Sequence, residues 1–175
     1  MVNDPNWRLP EVPAFSLTSP EVRDGDILPR WARASGMGGE DRSPTLHWSG
    51  QPRGTKSFAL TVYDPDAPTG SGYWHWAVYN IPGDASALPQ DAGNPAAGLL
   101  PAGAITLPNE SREERFEGAA PPAGHGEHRY VFTLSALGVE RLDLPARCTP
   151  AVLGFSLRTV ILARAQLTTL SETPA

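Results

Sequence analysis

The chain has 175 residues, a net charge of −5 and a single cysteine, which predicts one domain over residues 1–175 that folds on its hydrophobic core without an internal disulfide. Its scattered Lys and Arg residues do not form the basic stripe that a nucleic-acid partner requires, and no apolar segment is long enough to be an integral membrane span. Because the N-terminus has no basic start followed by an apolar run, the expected protein is soluble and cytoplasmic.

Short segments rich in β-branched and aromatic residues, each bounded by turn residues, occupy most of the chain. They alternate with turns that use many of the 17 glycines and 19 prolines, and this composition is typical of a turn-rich β protein. The predicted strands are residues 15–19, 45–48, 57–63, 74–81, 104–107 and 129–137. Neither face of the last segment is strongly charged, which predicts a strand well inside a sheet.

Two segments depart from this pattern. Residues 82–103 contain four prolines with little periodicity, and so long a connection is typically functional or a mobile flap. Near the C-terminus, Thr149 is predicted to cap a helix that starts at Pro150 and continues over residues 151–167, with apolar residues around most of its circumference. The order of the predicted elements, with strands first and a helix last, favours a mostly β protein with a peripheral helix.

The first candidate functional segment is "YDPDAPTGSGYWHW" at residues 63–76. Its prolines hold the chain extended, so Asp64 and Asp66 are expected to direct both carboxylates at one region. His75 follows at the start of the next strand, between two tryptophans. Taken alone, the segment also fits a simple turn in which each Asp accepts bonds from nearby amides and His75 is a packed core residue.

The second candidate segment is "AAPPAGHGEHRYVF" at residues 119–132. It also has a proline pair and a glycine turn, and it places His128 immediately before a strand, on the same face as Tyr130. His125, within the glycine turn, is interpreted as a surface residue. Two proline-braced loops that each bring a histidine to a strand end predict one pocket at the end of a sandwich.

These two segments resemble the signature regions of the phosphatidylethanolamine-binding protein family, in its bacterial Raf-kinase-inhibitor-like branch. "GEDRSPTLHWSGQP" at 39–52 and "PAVLGFSLRTVILARAQL" at 150–167 are further matches, and the resemblance covers about residues 13–170. It implies an antiparallel β-sandwich with peripheral helices, including one C-terminal helix, and a small anion pocket near one end.

The resemblance also implies which residues form the pocket. Asp64, His75 and His128 match the pocket residues of the family. The matching wall residues are Ala67, Pro68, Pro121, Pro122 and Tyr130, and the Ala67–Pro68 peptide matches a cis bond. Asp64 is expected to favour the charged form of the histidines, whose N–H groups would bind phosphate oxygens, while Asp66 braces the loop.

The function that follows is a binding module for a small anionic ligand such as phosphate, acetate or a phosphoethanolamine-like headgroup, with no cofactor, no metal and no catalytic residue. Phe116 and Ala120 depart from the tyrosine and glycine common in the family, and the C-terminal helix lacks a tyrosine, which predicts a more open pocket.

Two alternatives stay open. The first is a protease or kinase inhibitor that contacts an unknown target through residues 82–103 or 109–118. The second is a metal-dependent hydrolase that uses Asp64, His75 and His128. It is the least favoured alternative, because no metal-binding spacing such as His-Glu-x-x-His occurs in the sequence. Bacterial members of the family suggest a homodimer.

Overall fold

Two antiparallel sheets and one α-helix form the computed structural model, which describes residues 9–175. The larger sheet has the spatial order β6 (Ile105–Thr106), β4 (Tyr73–Pro82), β3 (Ser57–Asp64), β7 (His128–Leu137) and β8 (Ile161–Ser171). The smaller sheet has the order β1 (Ser16–Thr18), β2 (Leu46–Ser49) and β5 (Ala87–Leu88). Helix α1 spans Pro150–Leu157, and short 3-10 helices occupy Arg30–Ala32, Ser35–Met37 and Pro95–Ala97. The predicted mostly β architecture is confirmed.

The larger sheet is buried on both faces, which explains why its strands carry few charges. On the inner face, Leu60 and Trp76 pack in one core cluster with Trp48 of the smaller sheet. On the outer face, Ala77 packs in a second cluster with Leu153 of helix α1. Because side chains alternate between the faces of a strand, neighbouring buried apolar residues such as Ala59 and Leu60 belong to different clusters.

The predicted helix over 151–167 is wrong beyond its first two turns. Helix α1 begins as expected, with the Thr149 side chain accepting a bond from the Val152 amide and Pro150 in the first turn, but it ends at Leu157. Residues 161–171 form β8, which pairs with β7 from Leu137↔Ile161 to His128↔Ser171. Burial in this segment alternates with the period of a strand, with Ala163, Ala165 and Leu167 buried and Gln166 exposed. When such a period-two pattern is drawn on a helical wheel, its apolar residues are spread around the whole wheel.

The other predicted elements lie close to the observed ones. Each of the six predicted strands overlaps an observed strand, with ends that differ by one residue at most. The connection 82–103 contains β5, which pairs with β2, and a 3-10 helix capped by Asn94. Among residues 9–175, no helix has the length and apolar character needed to cross a membrane.

Candidate functional site

A cavity of about 290 Å³ lies at one end of the larger sheet, where β3 ends and β4 and β7 begin. Seven residues that the sequence predicted as ligand-binding line it: Asp64, Ala67, Pro68, His75, Pro122, His128 and Tyr130. The eighth, Pro121, is buried and is not part of the lining. The structure therefore brings the two candidate segments together around one space.

Asp64 and His128 form a buried hydrogen-bonded pair on the floor of the cavity. Asp64 continues the inner face of β3 after Leu60 and Val62, and His128 shares the inner face of β7 with Tyr130. The Asp64 Oδ2 atom lies 2.7 Å from Nδ1 of His128, and the two side chains are 4% and 1% exposed. Since an ionised carboxylate only accepts hydrogen bonds, Nδ1 of His128 carries the proton.

A β-bulge brings His75 into the cavity. Val62 pairs with Trp76 and Tyr63 with Trp74, so His75 is an extra residue between two regular pairs. The bulge places His75 and Trp76 on the same side of the sheet, and leaves Trp74 to stack on Tyr63 at the outer face. Without the extra residue, strict alternation would place the side chains of His75 and Trp76 on opposite faces of the sheet.

His75 is held by the loop that forms the facing wall. Its Nδ1 atom lies 2.9 Å from the backbone carbonyl oxygen of Glu117, which can only accept, so Nδ1 carries a proton. Burial lowers the pKa of His75, and its hydrogen bond to Glu117 together with the charge of Asp64 opposes this shift. Asp64 thus favours the charged form of His75, as expected, but desolvation is the larger effect and lowers the pKa of the ring overall.

We expect His75 to make the protein less stable in acid. An unfolded histidine titrates near pH 6.5, and the lowered native pKa means that only the unfolded chain binds this proton just below that pH. The free energy of unfolding should thus fall as pH drops from about 6.5 toward the native pKa, by at most about 1.4 kcal/mol per pH unit. Urea unfolding of His75→Gln at several pH values should show a shallower decrease than the wild type.

The matched control for this measurement is His47→Gln, because His47 lies exposed on β2. Its loss should leave the pH dependence of the unfolding free energy as in the wild type. Parallel curves for the wild type and His75→Gln between pH 5 and 6.5 would contradict the neutral, desolvated state assigned to His75.

Tyr130 contributes a buried hydroxyl group to the cavity. The residue is 2% exposed, its ring meets His75 edge-on at 5.0 Å, and its hydroxyl proton has no acceptor within residues 9–175. The hydroxyl oxygen lies close to the backbone amide of Ala120, which can donate to it. Burial raises the pKa of Tyr130 far above its usual range, so the hydroxyl remains a proton donor at any ordinary pH.

Asp66 braces the loop, as predicted, but its carboxylate does not face the same region as that of Asp64. It accepts hydrogen bonds from Nε and Nη2 of Arg129, each at 2.7 Å, and from the Arg129 backbone amide. The Arg129 side-chain hydrogen bond is the main reason that the pKa of Asp66 is lowered. Asp64 also accepts a bond from the Asp66 amide, so the Asp-Pro-Asp segment is both a turn and part of the cavity.

The expected cis bond is not present. Residues 9–175 contain no cis peptide, so the Ala67–Pro68 bond is trans. The loop is instead fixed by local hydrogen bonds, including that of the Thr69 hydroxyl to the Gly72 carbonyl oxygen.

Four lining residues were not predicted from the sequence: Thr69, Tyr73, Glu117 and Gly118. Ala120, which the sequence placed in the pocket wall, also lines the cavity. Glu117 and Gly118 belong to the charged segment 109–118, whose composition is typical of a solvated turn. Glu117 holds His75 through its backbone carbonyl oxygen, and a backbone contact cannot be recognised from residue identity. His125 was also missed as a site residue. It is exposed, as predicted, but its Nδ1 atom lies 2.7 Å from Nε2 of His128.

Other candidate groups are separate from the cavity. Ser71 is exposed, and its carbonyl oxygen accepts a bond from the Tyr63 hydroxyl. Cys148 is half-buried beside helix α1, where burial raises the pKa of its thiol. Within residues 9–175, no three His, Cys, Asp or Glu side chains are grouped so that they could hold a metal ion.

Sequence comparison relates this chain to proteins of known family. The phosphatidylethanolamine-binding protein family model matches residues 18–172. The UPF0098 protein YbcL of Escherichia coli K12 is 45% identical over 161 residues, which is 91% of this chain and 88% of YbcL. The UPF0098 protein YbhB of the same strain is 44% identical over 156 residues, which is 88% of this chain and 98% of YbhB.

Solved structures agree with this relationship. The crystal structure of E. coli YbcL, described as a new member of the mammalian PEBP family, has a TM-score of 0.87 at 44% identity and covers 90% of this chain and 98% of its own. A carboxypeptidase Y inhibitor solved with its cognate proteinase shares the fold, with a TM-score of 0.56 at 19% identity over 92% of this chain and 84% of its own. With its fold, its cavity and these relatives, the chain belongs to the phosphatidylethanolamine-binding protein family.

Proposed function

We propose that the protein is a binding module for a small anionic ligand, a phosphate or a phospholipid headgroup, held in the cavity formed by Asp64, His75, His128 and Tyr130. The observation that carries this proposal is the Tyr130 hydroxyl, a buried donor without an acceptor in residues 9–175. A buried polar group left unpaired costs about 1–3 kcal/mol, and a ligand oxygen placed beside it would remove that cost.

Binding should depend on protonation of the histidines. His75 is neutral near pH 7 because its burial lowers its pKa, and a neutral ring with a proton only on Nδ1 offers no second donor. Protonation adds an N–H group and a positive charge, both of which favour an anion. Affinity for an anion should therefore rise as pH falls, and a bound anion should raise the pKa of His75 in return.

The wall of the cavity also offers a partner for a cation. Glu117 is half-buried, and its carboxylate accepts hydrogen bonds from the hydroxyls of Tyr73 and Ser111. A ligand that carries both a phosphate and an ammonium group would place the phosphate near Tyr130 and the histidines, and the ammonium near Glu117. This arrangement supports phosphoethanolamine as a better ligand than inorganic phosphate.

The direct test is titration of sulfate, phosphate and phosphoethanolamine into the wild type and a His75→Ala, His128→Ala double variant, followed by NMR of the histidine rings. Sulfate is the key probe because its charge does not change near neutral pH, so any pH dependence belongs to the protein. We expect binding that strengthens below about pH 6.5 and is lost in the double variant. No binding at any pH would overturn the proposal.

Replacing Tyr130 with phenylalanine separates binding from stability. We expect affinity for sulfate at pH 6 to fall at least about tenfold, because a hydrogen bond to a charged ligand contributes about 1.5–3 kcal/mol. The free energy of unfolding should change little, since the hydroxyl proton has no acceptor to lose and only the contact of the oxygen with the Ala120 amide is removed. Calorimetric titration and urea unfolding check the two effects, with Tyr79→Phe on the outer face as the control.

A protein-interaction role is the second candidate, favoured by the fold that the chain shares with an inhibitor of carboxypeptidase Y. Capture of a protease or kinase that persists in the His75→Ala, His128→Ala variant would support this role. Capture that is lost in this variant would show instead that the interaction depends on the cavity.

We further propose that the protein is a cytoplasmic homodimer without catalytic activity. Light scattering of the purified protein tests the dimer.

A further inference from the structure

The described residues that line the cavity include two carboxylates but no arginine or lysine. Asp64 and Glu117 carry the carboxylates, whereas Tyr130 keeps its proton. An anion bound among these groups would be repelled by both carboxylates, because like charges raise each other's energy. A fixed positive charge just beyond the lining would therefore stabilise a bound anion.

Arg33 lies directly against the wall of the cavity. One of its two chain neighbours donates to the Ala119 carbonyl oxygen at 3.0 Å, and the other accepts from the Ala119 amide at 3.3 Å. The contact is close, since a Cβ added to Gly118 would lie 2.3 Å from the Arg33 carbonyl carbon. Gly118 and Ala120 are both part of the lining, so Arg33 is adjacent to the cavity without belonging to its surface.

The Arg33 side chain extends from this wall to the strand beside the cavity floor. Its Nη2 atom donates to the hydroxyl of Thr173 at 2.7 Å. Thr173 follows Ser171, the residue of β8 that pairs with His128 on the floor. Burial raises the pKa of Tyr130, and the positive charge of Arg33 is one of the effects that oppose this shift. The guanidinium charge is therefore felt inside the cavity.

Arg33 has no carboxylate partner among residues 9–175. Its buried Nε atom also has no hydrogen-bond acceptor there, and Thr173 supplies a neutral hydroxyl. Arg129 and Arg115, by contrast, form ion pairs with Asp66 and Asp41. Of these three arginines, Arg33 is the one whose positive charge is not neutralised by a carboxylate within the described chain.

We propose that Arg33 is the cation of the anion cavity, acts across its wall and makes the cavity select doubly charged anions, a selectivity that rests on the proposed anion-binding function. Coulomb energy is proportional to ligand charge, so a fixed cation stabilises a dianion twice as strongly as a monoanion in the same place. A phosphate monoester has about two negative charges at pH 7, whereas the phosphodiester of an intact lipid headgroup has one. The ligand class is then a soluble phosphate monoester, and Arg33 determines specificity without contacting it.

The test compares sulfate with methanesulfonate, two tetrahedral anions of similar shape of which only sulfate is doubly charged. Calorimetric titration at pH 6 and constant low ionic strength gives both affinities for the wild type, Arg33→Met and Arg33→Lys. We expect Arg33→Met to lose about tenfold in sulfate affinity but only about threefold in methanesulfonate affinity, because the logarithm of the loss is proportional to ligand charge. Arg33→Lys keeps the charge and should recover most of the sulfate affinity.

A second pair of ligands distinguishes the two sources of phosphate. At pH 7 the wild type should bind phosphoethanolamine, a monoester, more tightly than glycerophosphoethanolamine, the diester headgroup without its acyl chains. Arg33→Met should reduce this preference about threefold. A wild type that prefers the diester would overturn the monoester ligand and favour a lipid.

Thr173→Val is the matched control for a structural role of Arg33, because it removes the hydrogen bond and keeps the charge. It should bind sulfate as the wild type does, and so should Arg53→Met, which changes an exposed arginine before the start of β3, at the far end of that strand from the cavity. Equal losses for sulfate and methanesulfonate in Arg33→Met, or the same loss in Thr173→Val, would show that Arg33 only holds the chain and would overturn its role in selectivity. If sulfate does not bind to the wild type at all, the anion-binding function itself fails, and the selectivity fails with it.

Discussion

Replacing His128 with alanine should lower the free energy of unfolding by about 3–5 kcal/mol and abolish sulfate binding. The change leaves the Asp64 carboxylate buried, with the Asp66 amide as its remaining donor. Removing one partner of a buried pair is costly because the other charge stays desolvated. Urea unfolding at pH 7.5 and calorimetric titration at pH 6 measure the two losses.

A second variant shows whether the loss arises from the unpaired charge. The double variant Asp64→Asn, His128→Ala removes that charge, so it should recover part of the stability without recovering sulfate binding. His47→Ala controls for loss of a histidine on the surface. A double variant no more stable than His128→Ala would show that the pair contributes little and that lost packing explains the effect.

Replacing Gly118 with alanine should destabilise the protein by about 2–3 kcal/mol and weaken sulfate binding about tenfold or more. A Cβ at this position would overlap the backbone carbonyl group of Arg33, which cannot move aside like a flexible side chain. The wall would therefore shift away from Arg33, and the Glu117 carbonyl, one residue earlier, would move from His75.

Gly36→Ala is the matched control, because its added Cβ meets no atom within 4 Å. Thermal unfolding and sulfate titration of both variants check the prediction. A Gly118→Ala protein that unfolds and binds like the wild type would mean that the wall yields without cost, and that the Glu117 carbonyl does not position His75.

The parts of the site that follow from local rules could be predicted from the sequence. Side chains two residues apart in a strand lie on the same face, so Asp64 shares the inner face of β3 with Leu60 and Val62. By the same rule, His128 and Tyr130 share one face of β7. The two proline-braced segments predicted one shared pocket, and the cavity lining contains seven of the eight residues that the sequence predicted as ligand-binding.

The parts that depend on strand pairing could not be predicted in this way. The alternation of Ala163, Ala165 and Leu167 is too weakly polar on its other face to distinguish β8 from a helix, and pairing with β7 decides the matter. The extra residue at His75 is visible only in the register with β3. A backbone acceptor such as the Glu117 carbonyl has no signature in residue identity.

The bulge at His75 also determines how the cavity can open. Its interruption of the β3 pairing leaves the His75 backbone carbonyl free to accept the Glu117 amide, while the His75 ring bonds to the Glu117 carbonyl. The wall is thereby bonded to the sheet through both the amide and the carbonyl of Glu117, and we expect it to unfold together with the strand rather than as a separate flap. The solvent-exposed lining residues are Pro68, Thr69, Ala120 and Pro122, and they form the mouth of the cavity. We therefore expect the rigid, proline-containing mouth, and not motion of the wall, to limit the size of a molecule that can enter the cavity.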